Sequence, residues 1–137
     1  MSKQAKTLTG AELRRALDYV ATRRHAARNR AMLMTMYLAG LRVGECAALT
    51  YGDVVDSEGA VRDEIRLTPE QTKGRHARVV FVSERLRKEL ASYVRAHPSG
   101  DPSRRLFYTQ KRGSVGFTAN TLCQHFFYLF RRCGIEG

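Results

Sequence analysis

The residues best suited to act on a phosphate lie in the stretch Ala39-Gly-Leu-Arg-Val-Gly-Glu45, where Arg42 stands at a predicted helix start between apolar neighbours. A guanidinium fixed in this way can bind a phosphate through two hydrogen bonds and stabilise negative charge as it develops. Glu45 follows Arg42 by three residues, so a salt bridge between the two side chains is the structural alternative. Spacing alone favours that structural interpretation.

A second basic stretch, Gln71-Thr-Lys-Gly-Arg-His-Ala-Arg78, carries Lys73 beside a glycine at a predicted hairpin turn. A lysine on a turn can reach a phosphate or donate a proton to a leaving oxygen. A charged hairpin tip is by default solvated and without function, so Lys73 taken alone is a weak indication.

The elements that would position these residues follow from capping residues and apolar periodicity. Helical spacing predicts helices over residues 10–23, 28–39, 41–49 and 84–96, and a last helix that Thr118 or Asn120 caps and that runs to Arg132. Residues 61–67 and 78–82 are predicted strands, with residues 54–55 as a third short strand. Helices that flank one small antiparallel sheet without alternating with it predict an α+β fold that is mainly α.

The charge balance points to a polyanionic partner. The 137 residues contain 24 Lys and Arg against 13 Asp and Glu, a net charge of +11, and such a surface attracts nucleic acid. The sequence lacks the G-x-x-x-x-G-K-[ST], G-x-S-x-G and H-E-x-x-H motifs, and its three cysteines form no C-x-x-C pair. The longest apolar stretch, residues 31–43, is too short to span a bilayer. We therefore expect no metal, no other cofactor, no membrane-spanning segment and reduced thiols.

The order and spacing of the two basic stretches resemble the catalytic domain of the tyrosine recombinases, or phage integrases. The matching segments are AGLRVGECAALTYGDV and TKGRHARVVFVS, and the resemblance extends over residues 8–134. In that family a tyrosine attacks the DNA phosphodiester and forms a 3′-phosphotyrosyl bond. The resemblance implies that Arg42 is the first catalytic arginine and that Lys73 is the general acid for the leaving 5′-oxygen. It also implies that Glu45 is a supporting acidic residue that orients the site.

The resemblance covers only part of the family's pattern. The family's His-x-x-Arg box and nucleophilic tyrosine do not occur within the 137 residues, and the settings of Tyr108 and Tyr128 indicate core packing. We therefore expect one domain, residues 1–137, equivalent to the N-terminal half of a recombinase catalytic domain. Its predicted parts are a helical part at 8–50, a β-hairpin unit at 54–82 and a second helical part at 83–134. We expect this chain alone neither to cleave nor to join DNA.

Duplex DNA is the expected partner, and DNA integration and site-specific recombination are the expected function. The expected location is the cytoplasm, on the nucleoid, as part of a bacterial or phage-derived mobile element. The residues expected to contact DNA lie in or near the two basic stretches and in one later turn. They are Arg30, Thr72, Arg75, Arg78 and Arg112.

The last predicted helix is apolar around much of its circumference. Uncovered apolar faces drive association, so we expect a homo-oligomer in which this helix packs on another copy. We expect the apolar face of the helix around Cys46 and Leu49 to be uncovered too. The residues of the last helix expected to be uncovered are Leu122, Phe126, Phe127, Leu129 and Phe130.

Two other functions fit part of the sequence. The two predicted helices around Gly40 fit a helix-turn-helix DNA-binding regulator with Arg42 and Glu45 on its recognition helix, although the TKGR hairpin disfavours it. A basic RNA-binding or ribosome-associated protein is the third interpretation. It is disfavoured because the aromatic residues of the last helix form a helical core pattern rather than interleaved exposed rings.

Overall fold

Six helices and one antiparallel pair of strands make up the described part of the chain, residues 8–72, 74–109 and 116–135 of a computed structural model. The expected α+β, mainly α architecture is confirmed there. In chain order the elements are α1 (Gly10–Ala21), α2 (Ala26–Ala39), α3 (Val43–Ala48), α4 (Tyr51–Val54), β1 (Glu64–Leu67), a 3-10 turn (Pro69–Gln71), β2 (Arg78–Phe81), α5 (Glu84–Ala96) and α6 (Ala119–Arg132).

The predicted helix starts are confirmed where a side chain caps the first turn. In α1 the Thr9 hydroxyl accepts from the Glu12 N–H at 3.1 Å, and the Glu12 carboxylate accepts from the Thr9 N–H at 3.0 Å. The hydroxyls of Ser83 and Thr118 cap α5 and α6. These contacts satisfy N–H groups that have no partner within the helix, so they fix the helix starts locally.

The region after α2 is divided differently from the prediction. The third helix is shorter than expected, and a fourth short helix, α4, replaces the predicted strand at residues 54–55. The Thr50 hydroxyl accepts from the Asp53 N–H at 3.3 Å, and the Asp53 carboxylate accepts from the Thr50 N–H at 2.9 Å. This reciprocal pair is a capping box, which starts α4 and competes successfully with strand formation. Val55 instead forms an isolated bridge with Val61.

The two strands pair antiparallel, with Glu64 opposite Phe81 and Leu67 opposite Arg78. The paired segment is shorter than the predicted strand over residues 61–67. Ile65 and Leu67 are buried, so one face of the hairpin joins the core. The register leaves residues 68–77 as the connection between the strands, which contains most of the second basic stretch.

Helix α2 lies at the centre of the helical part. It packs against α1 and α5, while α3 packs against α6. Four consecutive residues of α2, from Ala31 to Met34, are at most 1% exposed, so α2 is buried on all sides at its middle. In the described ranges, no helix is long and apolar enough to cross a membrane.

The predicted uncovered face of α6 is wrong for most of its residues. Packing against α3 covers much of the helix, and Phe130 is partly buried. Phe127 and Tyr128 point outward, and each is 53% exposed. The residues expected to be uncovered but found buried are Leu122, Phe126, Leu129, Cys46 and Leu49.

Candidate functional site

The turn between α2 and α3 presents Arg42. Gly40 ends α2 in the left-handed conformation (φ 68°, ψ 30°), which glycine adopts without strain. Leu41 is buried, and Arg42 takes an extended conformation as the N-cap residue of α3. The Arg42 side chain is exposed and makes no hydrogen bond or ion pair with any residue that the structure describes. Its guanidinium donors are therefore available to a ligand.

The buried carboxylate of Glu45 fixes this turn. Glu45 is 3% exposed, and its Oε1 accepts a hydrogen bond from the backbone N–H of Arg42 at 2.9 Å. Its Oε2 lies 3.6 Å from Nη1 of Arg78. The side-chain salt bridge between Arg42 and Glu45, which the spacing favours, is therefore not formed. Glu45 pairs with Arg78, and it holds Arg42 by accepting from the backbone N–H of Arg42.

Arg78, the first residue of β2, positions the same turn. Its Nη2 donates to the carbonyl oxygen of Gly40 at 2.9 Å, in addition to its ion pair with Glu45. Contacts of this kind, in which one partner is charged, are stronger than neutral hydrogen bonds. Arg78 therefore joins the hairpin to the Arg42 turn. Its expected contact with DNA stays a prediction, and the positioning contacts were not foreseen.

Gln71 anchors the connection between the two strands. Its Nε2 donates to Oδ2 of Asp53 at 2.8 Å and to the carbonyl oxygen of Ala48 at 3.1 Å. Thr72 closes the turn that follows, because its hydroxyl accepts from the His76 N–H at 3.0 Å and donates to the His76 carbonyl at 2.9 Å. The sequence gives no sign of this role of Gln71, since its partners lie in other elements and no motif marks it.

The remaining predicted site residues lie in different places. Lys73 and Arg112 fall outside the described residues, and their roles stay predictions. Arg75 is exposed in a left-handed conformation (φ 57°) on the strand connection. Arg30 lies away from the Arg42 turn, where its Nε is 3.0 and 3.1 Å from the two carboxylate oxygens of Glu89 and ties α2 to α5. The structure thus brings Arg42, Glu45 and Arg78 together and separates Arg30 from them.

The tyrosines of the core are poor nucleophiles. Tyr51 donates its hydroxyl hydrogen to the carbonyl oxygen of His97, and burial raises the pKa of Tyr51 to about 12. Tyr93 donates to a backbone carbonyl at 2.8 Å, and burial raises the pKa of Tyr93 far above its usual range. Tyr108 is 9% exposed, so its expected core packing is confirmed. The same expectation is wrong for Tyr128, which lies on the outward side of α6.

The described residues favour neither a helix-turn-helix nor a metal site. A recognition helix needs a solvent-facing side that can enter the major groove. Helix α3 has six residues, of which Glu45, Cys46 and Ala47 are buried, and it packs against α6. Within residues 8–72, 74–109 and 116–135, no three His, Cys, Asp or Glu side chains are grouped so that they could hold a metal ion.

A protein family, a transposase and a solved recombinase structure are among those similar to this chain. A family model described as the phage integrase family matches residues 6–136. Transposase A from transposon Tn554 of Staphylococcus aureus is 33% identical over 93 residues, which cover 66% of this chain and 24% of the transposase. The crystal structure of XerA recombinase aligns with a TM-score of 0.71 and 24% identity, over 100% of this chain and 45% of that one.

The matches differ in how much of each protein they cover. The chain spans about a quarter of the length of the curated relatives it matches and less than half of the XerA chain. At 24% identity, the likeness to XerA shows a common fold. The family model, in contrast, covers nearly all residues, including the Arg42 turn and the strand connection.

Proposed function

Because this chain belongs to the phage integrase family, we propose that it supplies part of the catalytic site of a tyrosine recombinase, which breaks and rejoins DNA strands in integration and site-specific recombination. The observation that carries this proposal is the exposed guanidinium of Arg42, whose backbone N–H is held by the buried carboxylate of Glu45. Phosphoryl transfer depends on positive charge that is already in position before the reaction begins. Arg42 meets that requirement.

The proposed reaction transfers a DNA phosphoryl group to a tyrosine. The tyrosine hydroxyl releases its proton to water as its oxygen attacks the phosphorus, the bond from phosphorus to the 5′-oxygen breaks, and the 5′-oxygen leaves with a proton. Arg42 binds the non-bridging oxygens, on which negative charge is spread in the transition state. Lys73 is the proposed proton donor to the 5′-oxygen. Glu45 and Arg78 act as positioning residues for Arg42.

Duplex DNA is the proposed substrate and the proposed partner. Thr72 and Arg75 belong to the strand connection beside the Arg42 turn, and Arg30 and Arg112 are proposed as further contacts. We assign residues 1–137 to a single domain, equivalent to the N-terminal half of a recombinase catalytic domain. The proposed location is the bacterial cytoplasm, on the nucleoid, as part of a bacterial or phage-derived mobile element.

Competition between nucleic acids tests the proposed substrate. We expect the chain to bind a labelled duplex DNA of arbitrary sequence, and we expect structured RNA at equal salt to compete less well than unlabelled duplex. Electrophoretic mobility shifts measure both. Stronger competition by RNA would favour the RNA-binding interpretation, and a footprint confined to one major groove would favour a helix-turn-helix regulator. Either result would contradict the proposal.

Self-association through α6 is proposed on a smaller surface than the sequence indicates. The rings of Phe127 and Tyr128 meet edge to face with centroids 5.4 Å apart, and both are 53% exposed. Two aromatic side chains bury far less than the roughly 800 Å² per partner of a standard stable interface. The expected dimer is therefore weak, and sedimentation at high micromolar concentration is the measurement that detects it.

A matched pair of variants tests whether α6 forms the dimer interface. Phe127→Ser removes a ring from α6 and should reduce the dimer. Phe81→Ser removes a ring that is 72% exposed on β2, and it should leave the dimer intact. A wild-type chain that sediments as a clean monomer would contradict self-association, and equal effects of the two substitutions would contradict the role of α6.

A further inference from the structure

A cavity of about 890 Å³ lies between the turn that joins α1 to α2 and the second half of α6. We call it the cationic cavity. No Asp or Glu of the described part of the chain lines it, whereas four arginines and two histidines do. These six basic residues are Arg23, Arg24, His25, Arg28, His125 and Arg132.

Arg28 is the buried member of the cationic cavity. It is 6% exposed, its Nε donates to Oδ1 of Asn29 at 3.1 Å, and its Nη1 donates to the carbonyl oxygen of Tyr108 at 3.3 Å. The guanidinium also lies 5.0 Å from the centroid of the Phe117 ring. All three partners are neutral, and no carboxylate in the described ranges pairs with this guanidinium. A buried cation without a counter-charge is costly. An anion in the cavity would supply that counter-charge.

His125 carries a further sign of an unfilled polar site. Nε2 of His125 is buried and has no hydrogen-bond partner in the described structure. Burial lowers the pKa of His125 to about 4, and the positive charge of Arg28 acts in the same direction. His125 is therefore neutral at pH 7 and able to donate one N–H to an anion.

We propose that the cationic cavity binds a phosphate group, at a site separate from Arg42. Helix α2 begins at the cavity and ends at the Arg42 turn, and its 14 residues span about 21 Å at about 1.5 Å per residue. Arginine forks match the oxygens of phosphate, and neutral histidine adds a donor. The source of the phosphate is the backbone of duplex DNA, and this part rests on the proposed function. Free phosphate shares the chemistry, so the experiment distinguishes the two sources.

The phosphate site is tested without DNA in the intact chain. Inorganic phosphate is titrated against sodium chloride of equal ionic strength, and the ring resonances of His25 and His125 are followed by NMR. We expect shifts with phosphate that chloride does not produce, and we expect Arg24→Gln/Arg132→Gln to reduce them. Both arginines are exposed and form no hydrogen bond or ion pair with the described residues, so we expect the double variant to keep the fold. Arg85→Gln/Arg95→Gln removes two exposed arginines from α5 and serves as the matched control.

The same variants test whether the bound phosphate belongs to the DNA backbone. We expect Arg24→Gln/Arg132→Gln to reduce the slope of log affinity against log salt by about 1, the loss of one phosphate contact, and we expect the control to leave it unchanged. Phosphate-specific shifts, together with an unchanged slope of log DNA affinity against log salt, would assign the cavity to free phosphate. Phosphate-specific shifts in a chain that binds no DNA would refute the proposed function and support the phosphate site. Equal histidine shifts in phosphate and chloride, together with equal slopes for both double variants, would overturn the proposal.

Discussion

When the salt concentration rises from 50 to 200 mM, the affinity of this chain for duplex DNA is expected to fall about 10²–10³-fold, because roughly four to six phosphate contacts displace condensed counterions. The net charge of +11 and exposed guanidiniums such as those of Arg42 and Arg75 motivate this number of contacts. Arg30 and Arg78 contribute less than the sequence suggests, since each pairs with a glutamate. Fluorescence anisotropy of a labelled duplex over a salt series measures the slope.

A neutral solute separates ionic effects from effects of water activity. Sucrose at the osmolality of the highest salt concentration should leave the affinity unchanged if counterion release dominates. An affinity that does not depend on salt would refute the electrostatic account of binding. So would a lack of binding at the lowest salt concentration.

Local chemistry explains which helices the sequence could predict. The hydroxyl caps at Thr9, Ser83 and Thr118 lie within three residues of their partners, so the starts of α1, α5 and α6 are visible in the sequence. Helix α2 has no side-chain cap, because its N-cap residue His25 adopts a left-handed conformation. Its start was therefore placed two residues too late. Helix α4 was missed although its capping box was present, because the adjacent Val54 and Val55 favour a strand.

Only the parts of the site that depend on residues close together in the sequence were predictable. The residue type singled out Arg42, and the resemblance to the tyrosine recombinases added Glu45 as its supporting residue, but the spacing favoured contact between their side chains. Glu45 instead caps the N–H of Arg42 and pairs with Arg78, which belongs to a different element. Arg78, Gln71 and the buried Arg28 depend on how elements dock. No spacing rule in the sequence identifies such contacts.

Arg42→Ala is expected to lower the rate of DNA strand cleavage about 10³-fold or more. A single preorganised donor at such a site typically raises the rate by a factor of about 10²–10³, and an arginine on a transferring phosphoryl group raises it by a larger factor. The assay uses residues 1–137 joined to a segment that supplies the His-x-x-Arg box and the nucleophilic tyrosine. A nicked suicide substrate traps the covalent protein–DNA adduct, which a denaturing gel quantifies over time. DNA affinity should change only several-fold, since one phosphate contact among about four to six is lost.

Three further variants distinguish loss of the Arg42 charge from a general disturbance of the fold. Glu45→Gln keeps an oxygen that can accept from the Arg42 N–H but removes the charge that pairs with Arg78. Its cleavage rate is expected to fall about tenfold, a free-energy change of about 1.4 kcal/mol in the barrier.

Arg42→Lys keeps a charge but loses the two-pronged geometry, so its rate should lie between those of wild type and Arg42→Ala. Arg95→Ala removes an exposed arginine from α5 and should leave cleavage unchanged. An Arg42→Ala protein that cleaves within tenfold of wild type would refute the assignment, because a cation that contacts the transferring phosphoryl group cannot be removed at so small a cost.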